Sequence, residues 1–379
     1  MKYNYTFKAL GLDFRIKVER RLFSSRFTEA GVSALSIVIS LMIAAIVFMS
    51  QQIDPLIAYK EIILGAFGSI DGVTYTIVKM IPLLLCGLGL IVAFKANVWN
   101  IGAEGQILLG AVVATWIALF QLKTAPCYVS IPVMFFLGFI VGGLWALIPA
   151  LLKVKFNVNE VLSTLMMNHI ASKIVEYLIY GPWKGRTAWG FPQTDLFPEN
   201  VRIPCIPGTH IHYPTLIIAI LSTLIIGIML SRTKIGYEIR VFGTKPEVAR
   251  YAGINGAKVI LISMLISGGL AGIAGVGEVA GIHYRLRYPW SISSGYGYTA
   301  IIVAWLSRLN PIFVIPVSAL LGGLLVGGDI IQVTLGLPVN VIHIFNGVIL
   351  LCLASGEIFL KYKFTVEVKR YGTLVSSPT

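Results

Sequence analysis

Charged residues are scarce in this chain of 379 residues. Only 12% of the residues are Asp, Glu, Lys or Arg, whereas soluble domains carry about 25%, and 56% are apolar. Uncharged apolar runs such as 32–50 and 216–230 supply roughly the 20 residues that a membrane-spanning helix needs. This composition excludes an ordinary soluble domain and predicts an all-α integral membrane protein.

Motifs for catalysis and metal binding are also lacking. The sequence has no Gly-x-x-x-x-Gly-Lys-Ser/Thr phosphate loop, and it has no Ser/His/Asp or Glu-x-x-His arrangement in a plausible setting. The four cysteines do not have metal-site spacing, and a disulfide between Cys127 and Cys205 is not favoured. His210 and His212 supply two imidazoles without a third ligand. We therefore expect no enzymatic activity, no metal and no cofactor bound by this chain.

The net charge of +13 comes from basic residues that cluster beside apolar runs. This placement indicates residues that orient a membrane protein by the positive-inside rule, and it does not favour nucleic-acid binding. If the N-terminus is cytoplasmic, most of the 30 Lys and Arg fall on the cytoplasmic side. The basic segment 1–30 lacks the apolar core and cleavage site of a secretory signal, so we expect it to remain. Both termini, including a tail at 363–379, are thus predicted to be cytoplasmic in a bacterial cell membrane.

Ten candidate spans form a predicted transmembrane domain over residues 31–362. The eighth span is too short to cross a bilayer alone as a straight helix, so we interpret it as part of a broken element. A loop at 181–213 is expected outside and a charged loop at 231–258 inside. The candidate spans are 31–50, 74–95, 102–120, 130–152, 160–180, 214–231, 259–280, 296–307, 312–330 and 340–360.

The first candidate functional segment is 97–106, which places four polar side chains between two apolar runs. A carboxylate at Glu104 is costly in hydrocarbon and should face a water-filled path or a partner. The alternative is a polar turn with a Glu at a helix start, which the helix dipole favours. The translocation-path candidates here are Asn97, Asn100, Glu104 and Gln106.

Residues 294–304 parallel 102–111 when Gly297 is aligned with Gly105. The two segments belong to halves that would enter the membrane from opposite sides, which is typical of transporters with inverted repeats and broken helices. Chance similarity is the alternative, because the match is short. Tyr296 and Tyr298 of the second segment are further path candidates.

A polar stripe runs along the predicted span that begins near residue 160. Asn159 is placed to cap the helix, and positions 160, 164 and 168 share one helical face. The stripe either lines the path or forms hydrogen bonds with neighbouring helices. Its candidates are Asn159, Glu160, Thr164 and Asn168.

The charged loop 231–258 predicts a short helix outside the membrane. Thr244 and Glu247 are spaced as a capping box, with Pro246 near the first helical position, and Gly253 can end the helix. We interpret this helix as a docking site for a partner protein. The alternative is an ordinary surface helix. The docking candidates are Pro246, Glu247, Val248, Arg250, Tyr251 and Gly253.

Pairs of glycines recur at four-residue spacing in three of the apolar runs. Such spacing lets helix backbones approach closely in a bilayer, and close packing alone is the simplest interpretation. The pairs are Gly138 with Gly142, Gly268 with Gly272, and Gly323 with Gly327.

Five segments resemble, in the same order, the permeases of ABC importers for simple sugars, nucleosides and branched-chain amino acids. The likeness covers roughly residues 75–350, and the first two segments are most similar to permeases that work with lipoprotein receptors for purine nucleosides. The segments are 99–106 (WNIGAEGQ), 159–168 (NEVLSTLMMN), 249–254 (ARYAGI), 267–275 (SGGLAGIAG) and 295–304 (GYGYTAIIVA).

The resemblance implies a permease subunit that translocates nucleosides by ATP-driven alternating access. It implies a second related permease, an extracytoplasmic substrate-binding lipoprotein, and a cytoplasmic ATPase that uses ATP and Mg and docks on the loop at 246–253. One alternative is a permease for ribose-like sugars. Others are a membrane enzyme or an ion-coupled secondary transporter, whose mark would be several carboxylates deep within spans, here Glu104, Glu176, Glu278 and Asp329.

Overall fold

The computed structural model divides the chain into two compact units. The terminal unit contains residues 1–58 and 337–379, and the central unit is Tyr59–Gly336. The structure describes residues 2–9, 12–20, 26–186, 190–338, 340, 341, 344, 345, 347–349, 351, 352, 355, 356 and 362–370.

Helices dominate the part of the chain that the structure describes. Helix α4 continues as a π-helix over Ile117–Gln121, and α10 continues as a π-helix over Val279–His283. A 3-10 turn lies at Glu199–Val201. The α-helices are α1 Arg26–Ser50, α2 Pro55–Phe67, α3 Ile70–Lys95, α4 Ala103–Trp116, α5 Cys127–Phe156, α6 Glu160–Tyr180, α7 Tyr213–Arg232, α8 Lys234–Thr244, α9 Pro246–Tyr251, α10 Gly256–Glu278, α11 Pro289–Ser293, α12 Tyr296–Leu306 and α13 Pro311–Thr334.

Six helices within the described residues are long and apolar enough to cross a membrane: α3, α4 with its π-helix, α5, α7, α10 with its π-helix, and α13. Val38–Ser50 and Pro55–Phe67 meet the same criterion only when they are counted together. This confirms a multi-pass membrane protein. The count of ten spans stays a prediction, because α6 is less apolar and the predicted span 340–360 lies partly outside the described residues.

Glycines set the spacing between α5 and α10 at the centre of the central unit. A Cβ atom on Gly272 would lie 2.1 Å from the carbonyl oxygen of Gly138, and one on Gly142 would lie 2.3 Å from that of Gly268. Backbone therefore meets backbone at this crossing, as the four-residue spacing predicts. Gly323 and Gly327 instead accommodate Phe67 and Ile62 of α2.

A small antiparallel sheet in the terminal unit was not predicted. Strands β1 (Lys2–Ala9), β2 (Leu12–Arg20) and β3 (Tyr362–Arg370) pair in the order β1-β2-β3. The sheet adds strands to the all-α expectation, and these strands lie in or overlap the expected basic N-terminal segment at 1–30 and the expected tail at 363–379. The sequence signal for these strands was the alternation of apolar and polar residues with a period of two. The high content of Lys and Arg concealed it. The apolar residues at alternate positions of the sequence are Tyr3, Tyr5, Phe7, Phe14, Ile16, Val18, Phe364, Val366 and Val368.

Candidate functional site

A short turn at residues 96–102 joins α3 to α4. Asn97 is exposed and has a positive φ of 56°, a left-handed conformation that Asn tolerates better than most residues. Trp99 lies against Phe94 and Trp305, with ring centroids 5.3 and 5.6 Å apart. The turn thereby brings the start of α4 beside α12.

Asn100 and Gln106 form a buried amide pair at the start of α4. Asn100 Nδ2 donates to Gln106 Oε1 over 3.1 Å, and Gln106 Nε2 donates back to Asn100 Oδ1 over 3.1 Å. Asn100 Nδ2 also donates to Ser267 Oγ of α10 over 2.9 Å. Because both side chains are almost fully buried, these hydrogen bonds offset the cost of removing the two amides from water.

The polar stripe of α6 faces the same turn. Asn159 caps the helix by accepting a hydrogen bond from the Val161 N–H over 2.9 Å, and Glu160 forms an ion pair with Lys153. The Thr164 hydroxyl accepts from the Ile101 N–H over 3.3 Å. The stripe therefore begins with a cap and an ion pair and continues as a contact with the turn before α4.

Asn168 completes this contact one turn further along α6. Its Oδ1 accepts from the Gly105 N–H over 2.8 Å, and its Nδ2 donates to the Ile101 carbonyl over 2.8 Å and to the Tyr298 hydroxyl over 3.2 Å. Asn168 thus links α4, α6 and α12. Of the two interpretations of the stripe, these bonds support hydrogen bonding between helices.

Glu104 joins α4 to the beginning of α12. Its two carboxylate oxygens accept from the Gly295 N–H over 3.2 Å and from the Gly297 N–H over 2.8 Å. These are free N–H groups at the start of a helix, where the helix dipole favours a negative charge. A Cβ atom on Gly297 would lie 2.3 Å from the Glu104 backbone nitrogen, so this approach requires glycine.

Six of the ten path candidates lie together around the turn before α4 and the start of α12, and we call these six the network. Asn97, Asn159 and Glu160 lie nearby at the turn and at the start of α6, and Tyr296 belongs to a different cluster. Tyr298 is the most exposed member of the network, with 37% of its surface accessible. Lining of the path by these residues stays a prediction. The network members are Asn100, Glu104, Gln106, Thr164, Asn168 and Tyr298.

Sequence reasoning named Glu278 and Asp329 separately but missed the cluster of charges that they form with Lys79 between α3, α10 and α13. Lys79 Nζ lies 2.9 Å from Asp329 Oδ2 and 5.9 Å from the ring centroid of Tyr296. Glu278 is buried beside them, with Oε2 4.0 Å from His283 Nε2 and with Oε1 lacking a hydrogen-bond partner among the described residues. The available signal was a single Lys in one apolar helix and a single Asp in another.

Comparison with known proteins identifies the family. The pattern described as "branched-chain amino acid transport system / permease component" matches residues 72–354. The chain belongs to this family of permeases. The resemblance inferred from the five segments is confirmed, and the chain is a membrane permease component of an ABC transport system that is not itself an enzyme.

Similar proteins align along almost the whole permease. The glucose ABC transporter permease protein TsgB13 of Haloferax volcanii is 31% identical over 90% of this chain and 91% of its own length. The guanosine ABC transporter permease protein NupP of Bacillus subtilis is 31% identical over 87% and 94%, respectively. The nucleoside ABC transporter permease protein NupB of Lactococcus lactis is 28% identical over 89% and 92%. No solved structure matches the chain.

The predicted short helix is present in the permease as α9. Pro246 is its first residue, Gly253 follows it with a φ of +74°, and Ala249 is fully buried. Tyr251 is 93% exposed, and Glu247, Val248 and Arg250 are exposed as well. This helix presents a mixed aromatic, apolar and charged surface to its surroundings.

The predicted capping box at the start of this helix is wrong. Thr244 is the last residue of α8, and its hydroxyl donates to the Arg240 carbonyl over 2.9 Å. Lys245 occupies the N-cap position without a capping side chain. The hydroxyl is used by the preceding helix because α8 extends to residue 244, which leaves only one residue between the two helices.

Proposed function

We propose that this permease translocates nucleosides as half of a permease pair, in an importer driven by a separate ATPase. The observation that carries the proposal is the alignment of nine-tenths of the chain with permeases named for guanosine and nucleosides. Alternating access is the mechanism we propose: ATP binding and hydrolysis in the partner tilt the permeases, and substrate from an extracytoplasmic lipoprotein passes between them.

A sugar is the second candidate substrate. The permease named for glucose has the same identity, 31%, as the permease named for guanosine. The equal sequence identity therefore favours both substrate classes. A ribonucleoside and a ribose-like sugar also share a furanose and its hydroxyls. Two of the three aligned relatives described above are named for nucleosides, and this places nucleosides first.

The proposed topology has both termini in the cytoplasm. Antiparallel pairing of β2 with β3 supports a common side for the two termini, because a strand before the first helix pairs with one after the last apolar run. Lys95, Arg232 and Pro311 lie around one cleft. We call this end of the central unit the Lys95 end. We assign this end to the cytoplasm because α8 and α9, with the charged loop, lie there.

The exposed surface of α9 is the proposed docking site for the ATPase. Helix α8 joins it to the membrane helices, and a Cβ atom on Gly243 of α8 would lie 1.9 Å from the Lys95 carbonyl oxygen. A displacement of α9 by the docked ATPase would therefore be transmitted through α8 to the end of α3. Replacing Glu247 and Arg250 with Ala should reduce co-purification of the ATPase while membrane insertion is retained.

An inverted repeat with broken helices is also part of the proposal. Helices α4 and α12 begin against one another, where the Gly297 N–H donates to Glu104. Gly105, the residue aligned with Gly297 in the sequence, instead donates its N–H to Asn168 of α6. Glu104 is engaged by two backbone N–H groups of the other helix. That engagement does not favour the ion-coupled alternative, which needs a carboxylate available to an ion.

Uptake of radiolabelled guanosine tests the proposed function. Cells carrying the gene are compared with a deletion strain, with unlabelled inosine and with ribose as competitors. We expect uptake to fall in the deletion strain and to be reduced by inosine but not by ribose. Uptake of radiolabelled ribose is measured in parallel. Loss of ribose uptake instead would identify a sugar permease, and no change with either substrate would contradict both candidates.

A further inference from the structure

A cleft of about 560 Å³ opens at the Lys95 end of the central unit. Its walls come from the ends of α3 and α7, from α8, and from the segment that leads into α13. The transport mechanism proposed above does not use it. Its basic side chains are Lys95, Arg232, Arg240 and Arg308.

The charge in this cleft is of one sign. None of its lining residues, all of which the structure describes, is Asp or Glu. Lys95, Arg232 and Arg240 take part in none of the ion pairs found within the described part of the chain. Lys95 and Arg240 are close enough to repel each other. A ligand that lowers the energy of this arrangement must carry negative charge.

The start of α13 adds a further attraction for an anion. Pro311 and Ile312 of this 24-residue helix line the cleft, and Asn310 caps it by accepting a hydrogen bond from the Ile312 N–H over 3.1 Å. The positive end of a helix dipole thus lies beside the basic side chains. Helix N-termini of this kind favour phosphate groups.

The remaining wall of the cleft is apolar and faces outward. Leu224 and Ile228 of α7 and Ile312 of α13 are between 57% and 68% exposed. Helix α7 is one of the six candidate spans, so this wall continues along a surface suited to hydrocarbon. A ligand that matches both walls has an anionic head and an apolar tail.

We propose that this cleft binds the phosphate group of an anionic phospholipid from the cytoplasmic leaflet. Basic clefts between membrane helices on that side recognise such headgroups through the same chemistry. The acyl chains would lie along Leu224, Ile228 and Ile312. Helix α8 supplies Arg240 and leads into α9. A lipid bound to Arg240 would therefore also hold α8 and α9 at the membrane surface.

The test measures lipid binding to the full-length protein purified in a mild detergent. Phosphatidylglycerol and phosphatidylcholine are titrated separately, and retained lipid and the melting temperature are recorded. We expect phosphatidylglycerol to bind more tightly than phosphatidylcholine. The double variant Arg232→Gln with Arg240→Gln should weaken phosphatidylglycerol binding by about 30-fold, since each basic residue near an anionic headgroup contributes a factor of about five.

Two matched variants separate this site from general surface charge. Lys234→Gln with Lys258→Gln removes the same charge from exposed positions at the starts of α8 and α10, outside the cleft lining, and should leave lipid binding unchanged. Arg232→Lys with Arg240→Lys keeps the charge and should retain most of the binding. The melting temperature of the double Gln variant without added lipid shows whether that variant is folded.

Three results would overturn the proposal. One is equal loss of phosphatidylglycerol in the two Gln double variants. Another is equal binding of phosphatidylcholine and phosphatidylglycerol by the unaltered protein. The third is that inorganic phosphate at millimolar concentration raises the melting temperature as much as the lipid does, which would identify a free phosphate as the ligand. None of these outcomes depends on which substrate the permease transports.

Discussion

Glu104 shows how a single side chain can define the junction of two helices. Its carboxylate supplies the acceptors for two backbone N–H groups that the start of α12 would otherwise leave unpaired. A buried N–H without an acceptor costs about 1–3 kcal/mol. The geometry therefore makes Glu104 a stability residue as well as a candidate for the path.

Replacing Glu104 by Gln should destabilise the protein, because one of the two acceptor oxygens becomes an NH2 donor. Glu104→Ala should destabilise it further, since both N–H groups lose their acceptor. Thermal unfolding of the purified protein measures both effects. The control is Glu176→Gln, whose ion pair with the exposed Lys173 should contribute little. Equal melting temperatures for all three variants would contradict the assigned role.

His212 precedes α7 and is completely buried, and neither ring nitrogen has a hydrogen-bond partner among the described residues. Burial lowers the pKa of His212 to about 4. The unfolded chain, with an ordinary His pKa near 6.5, takes up this proton first as the pH falls. The stability contribution is therefore fully present above about pH 6.5 and is lost progressively towards pH 4, by about 3 kcal/mol in total.

We expect His212→Phe to remove this part of the pH dependence while keeping a planar ring in the same space. Melting temperatures at pH 7 and pH 4.5 should differ less for the variant than for the unaltered protein. The comparison cancels the titration of other groups, which both proteins share. An identical pH dependence in the two proteins would show that the ring of His212 is not buried as the structure has it.

At the scale of helices, the crossing of α5 and α10 depends on glycine. Gly272→Ala would place a methyl group 2.1 Å from a carbonyl oxygen of α5, so the two backbones must separate. Overpacking of this kind costs about 1–3 kcal/mol. We expect a lower melting temperature and less monodisperse protein on gel filtration.

Gly227→Ala is the matched control for the crossing. Gly227 lies in α7 with no atom close to the position of an added Cβ, and Ala favours a helix over Gly by about 1 kcal/mol. This variant should be at least as stable as the unaltered protein. If both variants behave alike, close approach of the backbones is not what fixes the crossing.

The helices themselves were largely predictable from the sequence. The expected spans 160–180 and 296–307 match α6 at Glu160–Tyr180 and α12 at Tyr296–Leu306, because apolar runs and their polar boundaries are local signals. Contacts between helices are not local. The amide of Asn168 selects partners on α4 and α12, and Lys79 pairs with Asp329, which no spacing along the chain could indicate.

At the scale of the whole chain, the sheet joins the two ends of the sequence. Its register places opposite charges at facing positions, as in Lys2 with Glu19, Arg15 with Glu367, and Glu19 with Lys363. Facing pairs of opposite charge stabilise an antiparallel sheet. The same residues, considered separately along the sequence, indicated only two basic segments.

Cross-linking tests this pairing and the topology that rests on it. In a protein whose four native cysteines are replaced by Ser, Arg15→Cys with Glu367→Cys should form a disulfide. Facing Cα atoms of an antiparallel pair lie about 4.5–5.5 Å apart, which is within disulfide reach. A shift in gel mobility that reduction reverses would measure the cross-link.

The control for this cross-link is Arg15→Cys with Lys363→Cys. Lys363 faces Glu19, four residues further along β2 and about 13 Å away, so this pair should not close. Equal cross-linking of the two pairs would show flexible ends without a fixed register. Specific cross-linking in intact cells would place both ends on one side of the membrane, because a strand cannot pair with another across a bilayer.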